Sequence, residues 1–211
     1  MGKILPLNLK RVSRRVIDES AKIVKSGGVI LYPTETIYGL GCNAYNEEAI
    51  VRIFSIKRRP ETKPLLVLVN NFAMLKTLVE EIPPLAAKLM KHFWPGSLTL
   101  IFQACQDVSS LITAGSRKIG VRIPNNNFCL KLISGCRVPI VSTSANISGQ
   151  RQNQNIGSLK DQFVDQVDLL LDAGTLPKSL SSTVVDISEF VLKIIREGAI
   201  TKKMLFPFVK T

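Results

Sequence analysis

Histidine is nearly missing from this chain: His92 is the one histidine among 211 residues. A Ser-His-Asp triad or a histidine-bound metal would have to rest on that side chain alone, so His92, in a helical stretch just before Trp94, is expected to be structural. The four cysteines, Cys42, Cys105, Cys129 and Cys136, form no C-x-x-C pair and have no histidine near them in sequence. That spacing argues against a zinc site or a disulfide framework, and four reduced thiols suit a cytosol. No G-x-x-x-x-G-K-[ST] occurs, and no G-x-G-x-x-G follows a strand pattern, so any phosphate site must use another design. Long apolar runs are missing as well. The longest uncharged stretch, 93–106, is too short to span a bilayer and contains Pro95-Gly96. The basic residues of 1–15 are joined by neither an apolar h-region nor a small-residue cleavage site, and Pro6 stands where a myristoylation signal needs Ser or Thr. The expectation is a cytoplasmic protein without a membrane partner.

What the chain does have is positive charge. Lys and Arg number 28 against 16 Asp and Glu, a net charge of +12. Such a balance favours polyanionic partners, namely nucleotides, RNA or an anionic membrane surface, and simple solubility is the plain alternative. A length of 211 residues with 45% hydrophobic content is enough for one self-sufficient core. With no linker, repeat or low-complexity tract, a single domain over 1–211 is expected.

Periodicity predicts helices at 13–26, from an Asn46 cap to the basic run Lys57-Arg58-Arg59, and at 84–93, 128–134, 156–163 and 201–205. Strands are predicted at 29–32, 65–69, 98–102, 118–123, 139–143, 167–171, 183–187 and 191–196. Many strands mixed with helices, and few tight hairpin signals, indicate an α/β domain built on one twisted, mixed sheet flanked by helices. Residues 149–155 read as a mobile polar loop.

Four segments carry the residue types that ligand chemistry needs. From Tyr32 to Gly41 a strand runs into Pro33, then small hydroxyls and glycines, a composition that lets backbone approach a ligand. Lys57-Arg58-Arg59 and Lys63 suit a helix C-terminus, yet they lead into a buried strand, where cations at its mouth can neutralise phosphates. In 118–124, period-2 alternation puts Lys118, Gly120 and Arg122 on one face, a floor for an anion with Arg122 able to grip a carboxylate bidentately. The same alternation sets Ser142, Ser144 and Asn146 together at the end of an apolar strand.

On these segments the chain resembles the YrdC-like threonylcarbamoyl-AMP synthase family, in its short, single-domain form. The matching motifs are Y-P-T-E-T-I-Y-G-L-G (32–41), K-R-R (57–59), K-P-L (63–65), F-W-P-G-S-L-T-L (93–100), V-R-I-P (121–124), P-I-V-S-T-S-A-N-I-S-G (139–149), S-S-T-V-V-D (181–186) and I-R-E-G (195–198), in family order. The resemblance implies a twisted sheet with a concave basic face. It also implies condensation of L-threonine, bicarbonate and ATP into threonylcarbamoyl-AMP and pyrophosphate, for N6-threonylcarbamoyladenosine in tRNA. Lys57 and Arg59 would be the catalytic phosphate-holding pair, with Lys118, Ser144, Asn146 and Arg196 also facing the nucleotide. Thr34, Arg122, Ser142 and Ser182 would line the threonine pocket. No protein metal site is implied, and Mg2+ would be held mainly by the ATP phosphates. A downstream threonylcarbamoyl transferase would receive the product, and the surplus charge would give weak, non-specific RNA or tRNA binding.

The chain departs from the family pattern at Ser97, often a proline, and at 150–155, which lacks the usual basic and proline residues and leaves nucleotide contacts from that loop open. The chain stops at Thr211, matching members without the extra C-terminal domain. Two rivals are a non-catalytic RNA-binding module of the same fold, and the YrdC-like part of a hydrogenase-maturation carbamoyltransferase. The second carries zinc-finger cysteine pairs, which are missing here.

Overall fold

Ser13 starts the first helix by accepting a hydrogen bond from the Val16 amide, and Ile17, Ala21 and Val24 supply its buried stripe. Gly27, at φ +82, lets the chain reverse afterwards. In the computed structural model, which describes residues 2–189 and 191–208, the strands are β1 (Lys3–Pro6), β2 (Ile30–Pro33), β3 (Tyr38–Asn43), β4 (Leu66–Leu68), β5 (Leu98–Gln103), β6 (Lys118–Arg122), β7 (Ile140–Ser144), β8 (Leu169–Asp172), β9 (Thr183–Asp186) and β10 (Lys193–Arg196). The helices are α1 (Arg14–Lys25), α2 (Glu47–Lys57), α3 (Phe72–Lys76), α4 (Pro84–Phe93), α5 (Ser110–Thr113), α6 (Asn127–Cys136), α7 (Ile156–Phe163) and α8 (Lys202–Leu205).

All ten strands join one mixed sheet in the order β1-β8-β2-β3-β7-β4-β6-β5-β9-β10. The α/β class and the mixed sheet agree with expectation. Two strands were not foreseen. β3 lies inside the 32–41 segment expected to be a loop that approaches a ligand, where it pairs antiparallel with both β2 and β7. β1 pairs parallel with β8 at the sheet's edge. Among the described residues, no helix is long and apolar enough to cross a membrane.

Alternation along the strands sorts the side chains onto two faces, and the faces are covered unequally. On one, Leu40, Val67, Leu100, Phe102 and Val121 join a continuous core with Ile50 and Ile53 of α2 and Leu89 of α4. On the other, Ile30, Tyr32, Ile140 and Leu169 pack against α1 and α6. That second cover stops short of β5, β6 and β9. There the same face carries Thr99, Lys118, Gly120, Arg122, Val184 and Asp186, which line a cavity instead. The open half of the sheet is therefore where apolar residues give way to small, hydroxyl and charged ones.

Candidate functional site

The cavity holds about 370 Å³. Its floor is β6. Lys118, Gly120 and Arg122 all face it, as period-2 alternation requires, and a Cβ at Gly120 would meet nothing nearer than Thr99 Cγ2 at 3.4 Å. A side chain at 120 would stand in the cavity, so glycine there keeps the floor low. One wall is the end of β7, with Ser142 and Ser144. Opposite it stand Ser182, Val184 and Asp186, and the turn joining β2 to β3 closes one end with Thr34 and Thr36.

Tyr32 explains part of the wall. A Cβ at Gly41 would lie 2.7 Å from the Tyr32 ring and 2.9 Å from the Val141 carbonyl, so only glycine admits that ring. The Tyr32 hydroxyl then donates to Ser142 Oγ at 2.7 Å, which leaves the Ser142 proton free to be donated. Burial raises the Tyr32 hydroxyl well above its usual range, so it stays protonated.

Cations cluster here in two kinds. Lys118 is neutralised: it pairs with Glu189 at 2.7 Å and Asp186 at 3.2 Å, and the bond to Glu189 raises its pKa most. Burial pushes Asp186 up, but the bonds from Ser188 and Lys118 outweigh it and hold the carboxyl below its usual range. Lys57, Arg59 and Arg196 differ. Among the described residues none of the three has a carboxylate partner; each donates to backbone carbonyls or to neutral side-chain oxygens. Arg59 Nη2 donates to the Pro64 carbonyl at 2.9 Å, and Arg196 Nη2 to the Ser182 carbonyl at 2.8 Å. Burial lowers the pKa of both guanidiniums, with the charge of Arg122 adding to the effect at Arg196. Partly buried positive charge without a counter-ion is a standing attraction for an anion.

The expected site residues fall into two sets. Arg59, Lys118, Arg122, Ser142, Ser144, Ser182, Arg196 and Thr34 all line the cavity. Lys57 and Asn146 do not. Lys57 is 1% exposed and lies beneath the loop after β7, donating to the Ser144 carbonyl, to the Asn146 carbonyl at 2.7 Å and to Asn146 Oδ1 at 3.3 Å. Its ammonium protons are committed to that loop. The Asn146 amide nitrogen in turn donates to the Ile147 and Gln150 carbonyls. Thr34 is qualified too: its hydroxyl donates to the Ile37 carbonyl at 2.7 Å and accepts from the Thr36 and Ile37 amides at 3.1 Å, so it builds the turn.

Several lining residues were not foreseen: Thr36, Thr99, Asp186 and, from the loop whose contribution was left open, Gln152. The most consequential omission is Glu35. Its carboxylate forms an ion pair with Arg122 Nη1, the group expected to grip a ligand's carboxylate. A lone acid between the hydroxyls of Thr34 and Thr36 was the available signal. His92 packs edge-on against Phe93 and tilted against Phe208, at ring-centroid distances of 4.8 and 5.3 Å, and is not among the cavity residues. Among the described residues, no group of three or more His, Cys, Asp or Glu could hold a metal ion.

Together these features define a class, an α/β protein with a basic cleft sized for a small anionic ligand. Residues 22–198 match the family model Sua5_yciO_yrdC, described as telomere recombination, and the chain belongs to that family. A threonylcarbamoyl-AMP synthase of Pyrococcus abyssi (strain GE5 / Orsay) is 36% identical over 191 residues, which is 90% of this chain and 56% of that protein. The structure of P. abyssi Sua5 complexed with L-threonine superposes with a TM-score of 0.93 at 34% identity, covering 98% of this chain and 60% of that one. E. coli YciO superposes with a TM-score of 0.86 at 29% identity, covering 94% of this chain and 96% of YciO. The chain thus spans little more than half the length of its P. abyssi relative and nearly all of YciO.

Proposed function

We propose that this chain is a threonylcarbamoyl-AMP synthase, a nucleotidyltransferase acting on ATP, L-threonine and bicarbonate. The observation that carries the reading is the trio Lys57, Arg59 and Arg196: three cations without carboxylate partners among the described residues, two on the cavity wall and one just behind it. A triphosphate is the natural counter-charge for them, and family membership supports the choice of ATP. Threonine would sit across Arg122 and Ser142, its carboxylate on the guanidinium and its hydroxyl at the free Ser142 proton.

Carbon dioxide released from bicarbonate adds to the threonine amine, giving a carbamate and a proton. A carbamate oxygen then attacks the α-phosphorus of ATP, and the bond from that phosphorus to the bridging oxygen breaks, releasing pyrophosphate. No protein nucleophile is needed. The chain's own contribution is to align the reactants and to neutralise phosphate charge with Arg59 and Arg196. Lys57 acts on this reading differently from the simple clamp expected of it: it fixes the end of β7 at Ser144 and the loop with Asn146 that follows, and adds its charge from behind. Asp186, a carboxylate on the cavity wall, is engaged by Lys118 and Ser188. Mg2+ belongs on this reading to the nucleotide, as part of the substrate.

Partners follow from the chemistry. The adenylate would pass to a downstream threonylcarbamoyl transferase that modifies tRNA, in the cytoplasm. Arg14, Arg15, Lys202 and Lys203 are exposed and outside the cavity, and would give weak, salt-sensitive RNA binding unrelated to catalysis. The test is pyrophosphate release by the pure protein, which should require ATP, threonine and bicarbonate together and need no RNA. Release that ignores threonine, or that needs RNA, would refute the proposal.

A further inference from the structure

The ion pair between Glu35 and Arg122 is almost sealed from water, with side chains 16% and 3% exposed. Buried charge pairs are normally completed by further hydrogen bonds, because each unmet donor or acceptor keeps its desolvation penalty. This one is incomplete on both sides. Glu35 Oε2 and Arg122 Nε are buried without a hydrogen-bond partner. They are the only two such side-chain atoms among the described residues. Arg122 lines the cavity, as do Thr34 and Thr36 on either side of Glu35. Among the described residues, the unmet valence of buried side chains is therefore concentrated at one spot, one anionic and one cationic, at the edge of the ligand-sized cleft.

An α-amino acid has the complementary pattern, a carboxylate and an ammonium on one carbon. We propose that Glu35 is the acceptor for the ligand's ammonium, and is thereby the residue that makes this pocket select α-amino acids over carboxylic acids lacking the amine. This rests on the assignment of a threonine pocket at Arg122. A carboxylate arriving alone must displace Glu35 from Arg122, and it leaves Glu35 buried and uncompensated. An amine arriving alone strands Arg122 in the same way. A ligand carrying both charges parts the pair and re-pairs each half, so neither buried charge is left exposed to the low-dielectric surroundings. The carboxylate of Glu35 acts as the resting occupant of the seat and as the sensor for what replaces it.

The test uses the whole chain and isothermal titration calorimetry with three probes: L-threonine, 3-hydroxybutyrate (threonine without its amine) and 1-amino-2-propanol (threonine without its carboxylate). The wild-type protein should bind threonine on the order of 100-fold tighter than either truncated ligand, since each leaves a charged group unpaired. In Glu35→Gln the preference over 3-hydroxybutyrate should collapse towards unity, because the neutral amide has no charge with which to hold Arg122 or compensate an ammonium. Glu35→Asp should retain most of it. Circular dichroism establishes folding, and the wild-type comparison stands even where Glu35→Gln does not fold. Equal wild-type affinity for threonine and 3-hydroxybutyrate, or an unchanged preference in Glu35→Gln, overturns the role of Glu35 while leaving the pocket assignment intact. Failure of the wild-type protein to bind threonine at all overturns both.

Discussion

The Lys57 ammonium donates to the Asn146 carbonyl at 2.7 Å, while the Ser148 amide donates back to the Lys57 carbonyl at 2.8 Å. The C-terminus of α2 is thereby stapled, by side chain and backbone, to the loop after β7. Burial, and secondarily the charge of Arg59, brings the Lys57 ammonium down to about 8 from an ordinary 10.5. Above that pH the neutral amine has one donor fewer and no charge to offer a triphosphate. The expected outcome is a fall in kcat/KM for ATP as pH rises through about 8, a limb that Lys57→Arg moves to higher pH. The sign for stability is opposite. The native state holds fewer protons on Lys57 than the unfolded state between the two values, so this residue's contribution to stability rises with pH there. Denaturant melts of wild type and Lys57→Met across that window check it: the difference between them should shift in favour of wild type as pH rises.

Arg59 separates binding from folding. It is half-buried and donates to the Lys63 and Pro64 carbonyls at the cavity edge. Arg59→Ala should lower kcat/KM for ATP by ~10²–10³-fold and leave the melting temperature nearly unchanged. Steady-state pyrophosphate release with varied ATP measures the first, and a thermal melt the second. Near-wild-type turnover would remove Arg59 from the nucleotide site.

At Gly120 the same separation of binding from folding should come from added bulk. Gly120→Val suits a strand, and its Cβ would meet only Thr99 and Ile101 side chains, at 3.4 and 3.8 Å. It should fold as well as wild type while its side chain fills the cavity floor. ATP and threonine binding should both be lost by calorimetry, with an unchanged circular dichroism melt. Retained binding would mean that ligands do not use this floor.

Substrate choice should depend on the substrate's hydroxyl. With Tyr32 donating into Ser142 Oγ, the Ser142 proton has no acceptor among the described residues and is left for a ligand. Threonine should be used at least ~10²-fold better than valine, because valine leaves that donor unpaired. Ser142→Ala should shrink the ratio, measured as pyrophosphate release with each amino acid. An unchanged ratio would place the hydroxyl elsewhere.

How far the sequence disclosed this site depended on the range of each interaction. The alternation of Lys118, Gly120 and Arg122 is local, and all three face the cavity as read. β3 was illegible because Gly39 and Gly41 look like loop residues; they are glycine because the Thr143 carbonyl crowds the first, and the Tyr32 ring and Val141 carbonyl the second, from neighbouring strands. The pairing of Arg122 with Glu35 spans 87 positions, and no periodicity reports such a contact. Lys57 was expected to hold phosphates from a strand mouth, whereas the loop after β7, far along the chain, folds over and buries it.

The central claim is tested most directly by supplying the pure protein with ATP, L-threonine and carbon-13 bicarbonate, without RNA, and weighing the products. The account predicts pyrophosphate and an adenylate of threonylcarbamate carrying the labelled carbon, with neither formed when threonine is omitted and both sharply reduced in Arg59→Ala. ATP breakdown that proceeds equally well without threonine, leaving the label in bicarbonate, would contradict it.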